Sequence, residues 1–208
     1  MTSLRWHWLG RAEYRRVLAD QLVARERVWA GGDGVVYLCE HPPVITLGRS
    51  AAVENIIDAG GVPVERIERG GEVTYHGPGQ LMIYPIVRIR SVVEFLASVA
   101  GAIASACAVL GVHDLAWRRD PAGIWRDGMK VAACGIHVAR GVTMHGFALN
   151  VDTPDAMWRR IKPCGLDVPQ LSMTRAGGRA IRVEDVAIEV GPRVVASLAR
   201  ATPPEIVR

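Results

Sequence analysis

Lysine is nearly absent. Of the 25 basic residues in the 208-residue chain, Lys130 and Lys162 are the only lysines, so arginine carries almost all of the net charge of +4. These arginines are scattered, without a basic run or interleaved aromatics, which argues against a nucleic-acid-binding module. The four cysteines, Cys39, Cys107, Cys134 and Cys164, include no C-x-x-C pair. That excludes a zinc ribbon and a thioredoxin-type redox motif, and free thiols are expected. No apolar run approaches the roughly 20 residues of a membrane span, and Met1 to Trp8 lacks a signal-peptide core, so a cytoplasmic protein with no membrane partner is expected. Repeats, low-complexity tracts and linkers are also missing. With half of its residues hydrophobic, the chain is expected to fold as a single domain over 1–208.

What the chain does have is glycine in pairs. The stretch Arg69 to Pro85 reads RGGEVTYHGPGQLMIYP, with Gly70-Gly71 and Gly77-Pro78-Gly79 on either side of Val73-Thr74-Tyr75-His76. Such flanks suit a tight hairpin, or a backbone that approaches a ligand closely. The two lysines fit the same picture. A coding bias that turned surface lysines into arginine leaves them unexplained, whereas a site needing a compact ammonium whose pKa responds to burial would resist the exchange.

Apolar spacing predicts an opening strand over Leu4–Leu9 and an amphipathic helix over Arg11–Ala30, with Tyr14, Val17, Leu18, Leu22, Val28 and Trp29 on its apolar face. Strands follow at Val35–Cys39 and Val44–Leu47, then a short helix or loop over 51–63 and a buried strand at Leu81–Val87. Ser91 and Glu94 form a capping box for a packed helix to Leu110. Leu115–Arg118, Ile124–Arg126, Met129–Val138 and Val142–Val151, with turns at Asp127-Gly128 and Arg140-Gly141, read as an antiparallel meander. A helical turn is expected at Asp155–Arg160, and a closing helix over Val183–Ala199, interrupted near Gly191-Pro192. Strand-rich order without regular βα alternation predicts an α+β fold, a mixed sheet with packed helices.

The glycine-rich stretch resembles the signature of the lipoyl(octanoyl) transferases. Lys130-Val131-Ala132-Ala133-Cys134-Gly135-Ile136, Thr143 to Asn150 and Pro163-Cys164-Gly165 are similar to that family's later motifs in order and spacing. Glu40-His41-Pro42-Pro43 and Leu47-Gly48-Arg49 match its N-terminal pattern, so the resemblance covers roughly residues 35 to 175. It implies the fold of biotin- and lipoate-protein ligases, with a class II tRNA-synthetase-like core. It also implies the transfer of octanoate from octanoyl-acyl carrier protein to lipoyl domains of 2-oxoacid dehydrogenases and to the glycine cleavage H protein. A monomer without cofactor or metal is expected.

The same resemblance places the catalytic roles on Cys164, as the acyl-thioester nucleophile, and on Lys130, as its partner. Substrate-binding roles fall on Arg69, Gly70, Gly71, Glu72, Val73, Thr74, Tyr75 and His76, on Ala133, Cys134 and Gly135, and on His145, Gly146, Phe147 and Ala148. The residues themselves are consistent with this. Cys39 and Cys107 sit in hydrophobic runs, whereas Cys164 sits in a proline–glycine turn, where a thiol activated by Lys130, His76 or His145 would be reactive. Cys134 departs from the small or aliphatic residue expected at its motif position, and a packing role is expected for it. An ATP-dependent lipoate–protein ligase of the same fold needs no cysteine nucleophile and is the main alternative. A Cys-His hydrolase that releases free octanoate is another.

Overall fold

A computed structural model of the chain describes residues 3–162 and 168–201. Leu4–Arg11 forms β1, Tyr14–Trp29 α1, Gly34–Glu40 β2 and Val44–Leu47 β3. A 3-10 turn at Val53–Asn55 leads to β4 (Val64–Arg66), β5 (Val73–His76) and β6 (Gln80–Ile86). After α2 (Val92–Val109) come β7 (Ala116–Arg119), β8 (Ala122–Arg126), β9 (Met129–Ala139) and β10 (Val142–Asn150). The helices α3 (Asp155–Trp158), α4 (Met173–Gly177) and α5 (Val183–Ala201) complete the described order.

The main sheet has seven strands in the order β1-β2-β6-β10-β9-β8-β7, and a smaller sheet runs β4-β3-β5. Within the main sheet β1 lies parallel to β2 and the remaining pairs are antiparallel, so the expected mixed α+β architecture is borne out. The meander is present because its turn residues suit two-residue hairpins. Asp127-Gly128 and Arg140-Gly141 all have positive φ, the backbone that joins antiparallel strands without splaying them. Helices α2 and α5 pack together over one face of the sheet, above a core that includes Leu81, Ile83, Phe147 and Leu149. On the opposite face α1 covers Met82, Tyr84, Ile86, Met144 and Ala148. Ser91 Oγ accepts from the Glu94 N–H at 3.3 Å and starts α2.

Several expectations change in three dimensions. In α1 the buried face is Tyr14, Val17, Gln21, Ala24 and Val28, and Leu22 falls one helical step outside it at 40% exposure. Helix α5 runs unbroken through Pro192. Pro192 lies on the outer side, where water can take the carbonyl it leaves unpaired, and Gly191 lets the helix approach Trp6, whose ring would lie 2.4 Å from a Cβ there. Residues 64–66, not read as a strand, form β4 because they pair in parallel with β3. Helix α2 is, at 18 residues and a mean hydropathy of 2.0, long and apolar enough to cross a membrane, contrary to the reading of the sequence. Its Phe95, Val99, Ile103 and Cys107 are spent in the core against α5 and the sheet.

Candidate active site

A cavity lies on the α1 side of the main sheet, between that sheet and the loop that enters β5. The loop is clasped by the chain that leaves β3. The Arg49 N–H donates to the Arg69 carbonyl at 3.1 Å, and Ser50 Oγ donates to the Gly71 carbonyl at 3.2 Å. Gly48 is required for this clasp, because a Cβ there would lie 2.0 Å from the Gly71 carbonyl oxygen. Glu72 extends it by accepting from the Ala52 N–H and from Asn55 Nδ2, at 3.3 and 3.2 Å. Gly48→Ala is expected to lower unfolding stability by about 1–3 kcal/mol, because backbone rather than a pliable side chain must move. Urea denaturation checks this, and an unchanged midpoint with an unchanged slope would contradict the clasp.

The cavity floor is made of residues in register, small ones apart from Met82. Met82, Ala148 and Ala133 pair across β6, β10 and β9, and Gly146 pairs with Gly135 one two-residue step further along. Gln80 and Asn150 pair in the preceding row, outside the lining of the cavity. Arg69 lies over the Gly135 end, its Cδ 3.2 Å from where a Cβ of Gly135 would be. Its guanidinium is held by the Thr46 carbonyl at 2.7 Å, Thr46 Oγ1 at 2.9 Å and the Gly70 carbonyl at 3.0 Å.

Lys130 lines the cavity at the other end and is only 2% exposed. Its Nζ lies 4.9 Å from the centroid of the Trp125 ring. The Lys130 N–H donates to the Pro169 carbonyl at 2.8 Å, and its carbonyl accepts from the Leu171 N–H at 3.0 Å. Residues 169–171, a few positions after the Pro-Cys-Gly motif, are therefore laced to the main chain of Lys130. Pro163, Cys164 and Gly165 themselves lie outside the described residues.

The two histidines suggested as activating bases are neutral. Burial drives His76 down to about 3, with the cationic Arg69 opposing protonation further and the hydrogen bond to Gln80 acting the other way. His145 falls to about 3 through burial, helped by Arg69, His137 and Arg25. His145 also has a left-handed backbone, φ 59°, and its N–H donates to Gln21 Oε1 at 2.8 Å. With both imidazoles neutral, Arg69 and Lys130 are the cations among the described residues that line the cavity.

Of the sequence-predicted residues, Arg69, the run Gly71 to Thr74 and His76 line the cavity. So do Lys130 and Ala133 to Gly135 from β9, and His145 to Ala148 from β10. Two do not. Gly70 spends its N–H on the Ile136 carbonyl at 2.9 Å, and Tyr75 turns into a separate small core edge-on to Trp158. Cys134 and Phe147 pair in register and pack into the core under α2 and α5, so strand alternation leaves mainly their backbone to face the cavity. Burial raises the Cys134 thiol to about 12, against the pull of Lys130.

Tyr14, Met82, Tyr84, Ala122, Trp158 and Gln170 complete the lining and were missed in the sequence. Tyr14 looks like any apolar position of an amphipathic helix, and burial raises its hydroxyl far above the usual range. Met82 and Tyr84, inside the Arg69–Pro85 stretch, and Gln170, six residues after Cys164, carried a signal through their closeness to a motif.

A family model described as "Lipoyl protein ligase A/B catalytic domain" matches residues 14–191. A Geobacter metallireducens protein named octanoyltransferase is 42% identical over 193 residues, 89% of each chain. The chain belongs to this lipoyl protein ligase A/B family. A Mycobacterium tuberculosis relative, also named octanoyltransferase, is 39% identical over 91% of this chain and 85% of its own. The resemblance to lipoyl(octanoyl) transferases read from the motifs is thus borne out. The fold agrees at greater distance. The bipartite lipoate protein ligase of Thermoplasma acidophilum superposes with a TM-score of 0.74 at 14% identity, covering 96% of this chain and 85% of that one. Biotin protein ligase from Aquifex aeolicus superposes with a TM-score of 0.56 at 10% identity, over 96% and 70%. The expected lipoate/biotin-ligase-like fold is therefore the fold of this member of the family.

Proposed function

We propose that this member of the lipoyl protein ligase A/B family is an octanoyltransferase, moving octanoate from octanoyl-acyl carrier protein to the acceptor lysine of lipoyl domains through a thioester on Cys164. The observation that carries the reading is Lys130, a buried cation at one end of a cavity whose floor is mostly alanine and glycine, bonded through its main chain to the segment that follows Cys164. Small residues on the floor and a cation at the end suit an apolar acyl chain with a polar head.

In the proposed reaction the Cys164 thiolate, stabilised by the Lys130 ammonium, attacks the carbonyl carbon of the donor thioester. The C–S bond to the carrier breaks, and the departing thiolate takes a proton from Lys130, which becomes a neutral amine. An acceptor lysine amine then attacks the acyl-Cys164 carbonyl and gives its surplus proton to Lys130. The C–S bond to Cys164 breaks and the thiolate–ammonium pair is restored. Thioester exchange is nearly balanced and amide formation runs downhill, so no nucleotide enters.

Purified protein is therefore expected to octanoylate a lipoyl domain from octanoyl-carrier protein without ATP or added metal, read by intact mass of the acceptor. A strict ATP requirement, with octanoate itself as donor, would move the chain to the ligase reading. That alternative has a fold precedent in lipoate-protein ligase A, solved with ATP bound, which superposes with a TM-score of 0.64 at 14% identity. Release of free octanoate with no acceptor product would instead indicate a hydrolase.

A further inference from the structure

We infer that Thr46, His76, Gln80 and Asn150 form a one-way hydrogen-bond relay that positions Lys130 against the segment following Cys164. The inference rests on the roles proposed above for Lys130 and Cys164. The relay starts at Arg69, whose Nε and Nη2 lie 3.3 and 2.9 Å from Thr46 Oγ1. A guanidinium has only donors, and its two N–H groups take both lone pairs of Thr46 Oγ1, so the hydroxyl hydrogen goes on to His76 Nε2, 3.2 Å away. His76 must then carry its proton on Nδ1, which donates to Gln80 Oε1 at 2.8 Å. Gln80 Nε2 donates to Asn150 Oδ1 at 2.9 Å. Asn150 Nδ2 points between the Lys130 carbonyl, at 3.5 Å, and Gln170 Oε1, at 3.4 Å. Gln170 Nε2 ends the chain on the Val168 carbonyl at 3.0 Å.

Both ends impose the same direction. Arg69 can only donate, and the carbonyls of Lys130 and Val168 can only accept, so each intervening group has one satisfactory orientation. A buried file of this kind keeps its order because any reversed member would set two oxygens, or two N–H groups, against each other. Thr46, His76, Gln80 and Asn150 are all fully or almost fully buried, so water does not compete for their bonds. Where the file ends, it grips both partners of one ladder: Asn150 reaches β9 at Lys130, and Gln170 reaches the strand-like segment that begins four residues after Cys164. Thr46, on β3 of the small sheet, thereby acts at a distance on the register between Lys130 and residues 168–170. It is a positioning residue, as are the others in the file.

Two measurements test this. Nitrogen-15 NMR of histidine-labelled wild-type protein should show His76 with Nδ1 protonated and Nε2 bare; the Nε2–H form would overturn the relay, and this reading needs no variant to fold. Thr46→Val keeps the side-chain shape and leaves Arg69 its carbonyl partners, but it removes the hydrogen that holds Nε2 bare. In a single-turnover assay with a small octanoyl thioester, its Cys164 acylation should be about tenfold slower, with KM within about twofold. Thr46→Ser, which can accept and donate in the same way, should restore the rate. Wild-type acylation by Thr46→Val, or a Thr46→Ser variant as slow as it, would overturn the relay. Absence of any adduct on Cys164 in the wild-type protein would overturn the proposed chemistry instead, whatever the tautomer of His76.

Discussion

Exchanging Lys130 for arginine is expected to slow octanoyl transfer about a thousandfold, almost as far as exchange for alanine, although the charge is kept. The wider fork would have to be placed among buried neighbours. Lys130 is 2% exposed, its Nζ sits over the Trp125 ring, and its Cε lies 3.2 Å from where a Cβ of Gly123 would be. Guanidinium also cannot surrender a proton, so the proposed exchange with the departing carrier thiol and the incoming amine would stop. Rapid-quench measurement of acyl-enzyme formation separates the two halves. An arginine variant that turns over within about threefold of wild type would reduce Lys130 to an electrostatic bystander.

Cys164→Ala should abolish both the acyl-enzyme adduct and transfer, a loss of at least about 10⁴-fold. Cys164→Ser should leave a trace, because an unactivated hydroxyl is a far poorer nucleophile than a thiolate. The remaining thiols cannot take over. Cys39 and Cys107 are buried in the two cores, with burial lifting the first far above the usual thiol range and the second to about 12. Cys134 belongs to the core under α2 and α5, and Cys134→Ala should keep most of the activity. Peptide mapping of the trapped adduct decides between them. Octanoate on Cys134 in the wild-type protein would sink the assignment.

The local features of the fold were legible because short-range chemistry dictates them. The Asp127-Gly128 and Arg140-Gly141 turns need positive φ, and Ser91 caps α2, so the meander and the long helix announce themselves. What no spacing revealed was adjacency between distant segments. Strand β6 lies between β2 and β10, and β1 runs parallel to β2, because tertiary packing rather than local pattern chooses neighbours. The same holds for the cavity. Arg69 and Lys130 belong to quotable motifs, whereas Tyr14 reads as one more apolar helix position, and Gln21 reads as a surface residue until the His145 N–H is seen to need an acceptor. The relay was invisible for a related reason. Its members stand on β3, β5, β6 and β10, and only their hydrogen-bond directions make them one object.

The alternation along β9 and β10 divides the consequences of mutation by parity. Ala132, Cys134, Ile136, Phe147 and Leu149 belong to the core under α2 and α5, whereas Ala133, Gly135, Gly146 and Ala148 belong to the cavity floor. A change at 147 or 149 therefore acts on how many molecules are folded. A change at 148 acts on what the folded ones accept as well as on packing under α1, and at 146 any Cβ would meet the Ile83 carbonyl oxygen, so that glycine is held by the fold itself. On these two strands the core-side positions answer to stability alone, whereas the cavity-side positions answer to stability and substrate range together.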